Sequence, residues 1–272
     1  MRTHVSDRPD QEKLGTTVSP PVGMVPIPAG CFLMGADDGG EFEGPVHDVD
    51  LGDFYLDETP VTNGMFARFV AETDYRTEAE RAGQAWGYTG SEFGPIVGLG
   101  WYSYAVPGRE DHPVVLVTWN DASAYARWAG KRLPTEAEWE KAARGGWPGA
   151  LYPWGHAAPD GTQCNFAETP CRPPPTTVVK RFPSNDYGLY DMVGNVWQWC
   201  ADWFATDSYL TSTRRNPAGP DLGQHRVRRG GAWNVIQPFR LRCANRGALD
   251  PRTAVPNLGF RCAWSPQSRA DR

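Results

Sequence analysis

The spacing of apolar and polar positions changes repeatedly along this chain. "MVPIPAGCFLMGA", residues 24–36, alternates and turns in the manner of a hairpin. "HDVDLGDFYLDETPV" alternates polar with apolar residues, the pattern of a half-buried strand. In "TNGMFARFVAETDY" the period becomes helical. Phe66, Phe69 and Val70 share one face, and Thr62 or Asn63 supplies the N-cap. Residues 76–111 follow no period and read as a long surface excursion, either a cover over the core or a loop that touches substrate. A short apolar strand, Val114 to Val117, then leads into a helix that Gly130 stops from a C′ position. A second helix begins at Thr135, where Thr135 and Glu138 form a capping box, and ends at Gly145-Gly146. "NDYGLYDMVGNVWQWCADWF" is a compact aromatic segment, and "RVRRGGAW", "FRLRCA" and "NLGFRCAW" read as three short strands. No repeat of about 20–50 residues is present, which removes solenoids and propellers.

The 272 residues carry 30 glycines, 25 prolines and 12 tryptophans. Many turns with many large rings indicate a loop-rich fold in which tryptophan packing replaces thick layers of helix and sheet. The length suits one large domain or two small ones, with enough core to fold without a disulfide or metal. A formal charge of -5 and a pI near 5.6 argue against nucleic acid as the main partner. Acidic residues crowd the first third ("GADDGGEFEGPVHDVDLGDFYLDE") and arginines the last: Arg226, Arg228, Arg229, Arg240, Arg242, Arg246, Arg252 and Arg261. Either the two ends pair, or the arginines form a pocket for a carboxylate or other anion.

No apolar run approaches the roughly eighteen residues of a membrane-spanning helix. Residues 1–22 lack an apolar signal core and read as a disordered tail, residues 23–266 as the domain and 267–272 as a second tail. A cytoplasmic location and reduced thiols are expected. The six cysteines form no C-x-x-C pair, so a structural zinc site is not expected, while Cys164 and Cys171 are close enough to bridge a loop. Glu136, Glu138 and Glu140 read either as catalytic carboxylates or as acids suited to a helix N-terminus.

Several stretches occur together in one family. "GMVPIPAGCFLMG", "DETPVTNGMFARFV", "HPVVLVTWNDASAYARWAGKRLPTEAEWEKAARGG", "YGLYDMVGNVWQWCADWF", "RVRRGGAW" and "NLGFRCAW" resemble the formylglycine-generating enzyme (sulfatase-modifying factor) family, in order from Gly23 to Trp264. The resemblance implies one α+β domain with little regular secondary structure, related to the C-type lectin-like fold. It implies an oxidoreductase that converts a cysteine of a sulfatase to formylglycine with oxygen and a copper ion held by two cysteines. Here those positions fall on Val235 and Pro238, which offer no thiolate for a soft copper ion. Cys243 matches a position that pairs in a disulfide in some relatives, but the partner positions read Ala126 and Ala143. That leaves Cys243 and Cys262 as buried thiols, or Cys243 as a replacement nucleophile.

The resemblance also implies calcium. One set would be the Asp191 side chain, the Gly194 and Val196 carbonyls and Gln198. A second would begin at Asn165 and Phe166, although "CRPPPTTVVK" lacks its acidic half. Trp197 and Asn257 match positions that line the family's substrate groove. Asn234, Arg240 and Arg246 join them as candidate substrate-binding residues. The redox metal, iron or copper, is left open. The five histidines show no i, i+3 or i+4 pairing. Two function classes remain. One is a modifying enzyme with chemistry other than the two-cysteine kind, acting on a peptide, protein or amino-acid-derived substrate. The other is a non-catalytic peptide- or sugar-binding module, or a regulatory partner of an active relative.

Overall fold

A computed structural model describes residues 19–89, 92–167 and 176–266. Most of the two tails, Cys171 and most of the proline-rich stretch lie outside the described residues. Strand β1 (Met24–Ile27) does not form a hairpin with β2 (Gly30–Met34). β2 pairs antiparallel with β3 (His47–Leu51), while β1 pairs with β4 (Phe54–Asp57) and β4 with the late β11 (Ala263–Trp264). The expected hairpin is therefore two strands of two sheets. The single strand expected from His47 onward is also two, broken at Gly52-Asp53 so that its halves join different sheets. Alternation reports which face is buried, not which strand is the neighbour.

The helices follow their local signals more closely. α1 (Asn63–Thr73) is capped by Thr62, whose side chain accepts from the Met65 amide at 3.3 Å, and it buries Phe66 and Phe69. Within the stretch expected to be irregular, α2 (Glu78–Ala82) carries its own capping box of Thr77 and Glu80. A hairpin of β5 (Gln84–Thr89) and β6 (Glu92–Val97) follows it. Val114 to Val117 are fully buried but form no strand; Leu116 stands at φ 60, and Val114 and Leu116 bond to Val61 and Val255. α3 (Trp119–Trp128) and α4 (Glu136–Ala143) come next, and α4 starts at the expected Thr135–Glu138 capping box.

The sheet that positions the site runs β10-β7-β8-β9, from Leu258–Gly259, Trp197–Trp203, Arg226–Arg229 and Arg246–Leu249. β7, β8 and β9 are antiparallel neighbours, and the short β10 lies parallel to β7. α4 packs on one face of this sheet, and Trp139, Trp199, Leu241, Phe260 and Cys262 belong to one core cluster. A last one-turn helix, α5 (Ser208–Thr211), precedes β8. "FRLRCA" holds a 3-10 turn over Pro238–Leu241 rather than a strand, because Pro238 has no N–H for a ladder. Among the described residues no helix is long and apolar enough to cross a membrane.

Candidate functional site

Successive residues of a strand face opposite ways, and this separates the arginines of β8. Arg229 pairs in register with Gln198 and Arg246, and all three turn inward to α4. Arg229 is fully buried, bonding Glu140 and Glu136 and donating to the Cys243 carbonyl at 2.7 Å and the Ala244 carbonyl at 2.9 Å. Arg144 holds Glu140 from the same helix at 2.7 Å. Burial alone would raise the Glu140 carboxyl, but Arg229 and Arg144 hold it below the usual carboxylate range. Glu138 binds Arg132 through both oxygens, at 2.6 and 2.7 Å. The three glutamates of α4 thus serve as ion-pair partners, and Glu136 and Glu138 are also helix N-terminal acids. The acidic first third supplies fewer partners than expected; Asp38 takes Arg242 at 2.6 Å.

This inward turn settles the place of Arg246. It grips Glu136 through Nε and Nη2, at 2.6 and 2.7 Å, and lies over the Tyr209 ring. A substrate carboxylate would have to displace Glu136. Arginine density in the sequence carries no information about strand face, and Arg246 falls on the buried one.

Arg228 faces the other way. Its guanidinium carbon stands 4.8 Å from the Trp197 ring centre. The Trp197 amide donates to the Asn257 carbonyl at 2.9 Å, and Asn257 Nδ2 donates to Asn234 Oδ1 at 2.9 Å. Trp233 Nε1 ties the same loops by donating to the Pro256 carbonyl at 3.2 Å. Trp197, Asn234 and Asn257 therefore come together, with Arg228 on the tryptophan. Arg240, exposed on the 3-10 turn, is close enough to act electrostatically on Arg228. Arg228 belongs to the arginine run read as an anion pocket but not to the named substrate-binding residues, although its R-V-R spacing on a strand signals a shared face. Cavities of about 610 Å³ beside Trp119 and Arg132 and about 230 Å³ beside Asp202 and Tyr209 share none of these residues. Trp197 itself is buried, and Arg228, Asn234 and Asn257 around it are half-buried.

Val235 and Pro238 lie beside it. Val235 is buried, with its amide on the Ala232 carbonyl, and Pro238 opens the 3-10 turn. Neither side chain has a ligand atom. Burial pushes the Cys243 thiol up to about 12 and the Cys262 thiol well above its ordinary value, so both stay protonated at neutral pH. Cys164 is a buried free thiol. Among the described residues, no three His, Cys, Asp or Glu side chains converge in a metal-ligating cluster. The described residues do not fit copper or iron held by their own thiolates or histidines.

The segment implied for calcium is closed by its own side chains. Gln198 Nε2 donates to the Asp191 carbonyl at 2.8 Å and the Met192 carbonyl at 3.3 Å. Gln198 Oε1 is taken by Trp139 Nε1 at 2.9 Å and Arg261 Nε at 2.7 Å. Arg261, fully buried, adds bonds to the Tyr190 and Asp191 carbonyls at 2.7 and 2.9 Å. The Asp191 carboxylate accepts from the Lys180 amide at 2.9 Å and from Asn195 at 3.3 Å. Gly194 donates to the Gly230 carbonyl, and Val196 is buried. Gln198 spends its oxygen on Trp139 and Arg261, and the Asp191 carboxylate holds two N–H donors, so the two side chains of this set as arranged do not fit calcium. The Asn165 carbonyl accepts from the Asn195 amide at 2.8 Å and Phe166 is buried; the remaining half of that implied set lies largely outside the described residues.

The profile of the sulfatase-modifying factor enzyme 1-like domain matches residues 11–266. The chain belongs to this family. It is 42% identical to the formylglycine-generating enzyme of Thermomonospora curvata, over 90% of this chain and 94% of that one. It is 41% identical to the formylglycine-generating enzyme of Bos taurus, over 92% of this chain and 76% of the relative. Its structure is similar to that of PvdO from Pseudomonas aeruginosa, with a TM-score of 0.75 and 28% identity, covering 94% of this chain and all of PvdO. The fold is the α+β, C-type lectin-like fold of formylglycine-generating enzymes.

Proposed function

We propose that this family member recognises a peptide, protein or amino-acid-derived substrate in the Trp197–Asn257 groove. We further propose that it is a modifying enzyme whose chemistry is not the two-cysteine copper oxidation. The groove carries the reading: Trp197, Asn234 and Asn257 are tied into one frame beside positions 235 and 238, where the side chains have no ligand atom. That frame holds its polar groups in place before any ligand arrives, which lowers the ordering cost of binding. A redox metal, where one takes part, is then brought by substrate or partner. The sealed Cys243 thiol and the lack of a converging metal set among the described residues favour a second reading, a binding module without turnover.

The test combines two measurements on the purified full chain. Photo-crosslinking with a peptide library checks the groove, with Trp197→Ala as control. Mass spectrometry of cysteine peptides, incubated with the chain, oxygen and Cu(I) or Fe(II), checks turnover. Crosslinks that depend on Trp197 support recognition in the groove, and peptide modification separates enzyme from binding module. Conversion of cysteine to formylglycine with copper bound by the chain alone would refute the chemistry proposed.

A further inference from the structure

The arginines of the last third differ in one respect. Arg229, Arg242, Arg246 and Arg252 each pair with a carboxylate, Arg261 bonds carbonyls and Gln198, and Arg226 donates to a carbonyl while sandwiched between Trp119 and Trp203. Arg228 alone in this series is half-buried with no side-chain hydrogen bond or ion pair among the described residues. Its contact is the Trp197 ring. Its Nε is sealed from solvent and has no partner. The exposed Arg240 is near enough to act on it electrostatically, has no acidic partner among the described residues and rests on the neighbouring Phe239 ring.

We propose that Arg228, laid on the Trp197 ring, is a carboxylate receptor in the groove. The bound substrate would present an acidic group next to the face of Trp197. This deepens the groove reading above and rests on it. A guanidinium laid over an aromatic ring keeps its in-plane N–H donors, which match a carboxylate edge-on. Burying a cation with no counter-ion beside a second cation is unfavourable, and an arriving anion relieves both costs. Desolvation and the Arg240 charge pull the Arg228 guanidinium down to about 10, in keeping with this unmet demand. The fold also reserves the space. In register opposite Arg228 is Gly247, where an added Cβ would come within 3.0 Å of Arg228 Nε and 3.5 Å of the Trp197 ring. A side chain there would crowd the Arg228 stem and make it shift by about a few tenths of an ångström. The Asn234–Asn257 pair supplies neutral donors and acceptors for the backbone of the same ligand.

The experiment uses the purified full chain and a synthetic decapeptide array built in matched pairs. One arm exchanges internal Glu for Gln; the other exchanges a free C-terminal acid for an amide. The acidic partner should bind about tenfold tighter or more, the range of a charge-assisted hydrogen-bond pair. Whichever arm carries that preference tells a side-chain carboxylate from a chain terminus. Arg228→Gln should erase the preference while neutral peptides still bind, and Gly247→Ala, which keeps both charges, should weaken it as well. If Arg228→Gln fails to fold by circular dichroism, Gly247→Ala and Arg240→Gln decide the question. Trp197-dependent binding with no acid preference, or a preference untouched by Arg228→Gln, makes Arg228 a packing residue and overturns the proposal alone. No binding by any peptide overturns it together with the groove reading.

Discussion

Replacing Arg229 with methionine tests the ion network that joins α4 to the site sheet. Methionine is close in length, so cavity formation is a minor part of the change. The cost comes from what is left behind. Glu140 would keep Arg144 at 2.7 Å and the Gly35 amide at 2.8 Å, and Glu136 would keep both contacts from Arg246. The Cys243 and Ala244 carbonyls would lose the Arg229 donor, and two nearly unexposed carboxylates would share one positive charge fewer. Breaking a buried pair by removing one partner typically costs about 3–5 kcal/mol. The surviving arginines place Arg229→Met at the lower end, about 3 kcal/mol. For a domain of this size that lowers Tm by roughly 6–12 °C. Urea unfolding followed by circular dichroism measures it, with Arg252→Ala as the control. Arg252 is exposed and pairs with Asp250 on the surface, so its loss should cost less than about 1 kcal/mol. An Arg229→Met loss no larger than that of the control would refute the reasoning, because Glu136 and Glu140 would then not depend on the third arginine.

Three further outcomes are expected. Calcium and EGTA should leave the melting temperature of the wild-type chain equal, because Gln198 and Arg261 already bond the carbonyls of residues 190–192. Gln198→Glu, which sets oxygen against oxygen there, should lose about 1–3 kcal/mol in EGTA and recover with calcium; wild-type stabilisation by calcium would count against it. Burial first, and then Glu136, raise the Asp202 carboxyl from 3.8 to about 8. The folded state therefore holds a proton that the unfolded chain releases, so stability is greatest below pH 4 for this group and falls as pH rises from about 4 to 8. Asp202→Asn should remove that part of the slope in urea titrations, and an unchanged slope would place the titration elsewhere. Alkylation of the native chain should label exposed Cys31 while sparing Cys164, Cys200, Cys243 and Cys262 until unfolding; rapid labelling of Cys243 would restore it as a nucleophile.

Features written within a few residues were legible in the sequence. Thr62 and Thr135 cap their helices because a hydroxyl immediately before a helical run has one obvious use. The same signal at Thr77, followed by Glu80, was hidden by the glycines and aromatics around it, and so α2 went unread. Strand partners were not legible, since β1 and β2 are three residues apart yet join different sheets. The fate of the arginines lies between these cases. Their number invites an anion pocket, but only strand parity and register sort them. Once Gln198 is known to face α4, its ladder partner Arg229 must face α4, and so must Arg246 opposite Arg229. The alternate rung is Trp199, Arg228 and Gly247, and a glycine opposite a long side chain leaves room for that side chain to lie down. Arg246, which the sequence reading named for substrate binding, and Arg228, which it listed only within the arginine run, thus belong to neighbouring rungs of one ladder, and a one-residue step exchanges a core ion pair for a half-buried arginine with no acidic partner among the described residues.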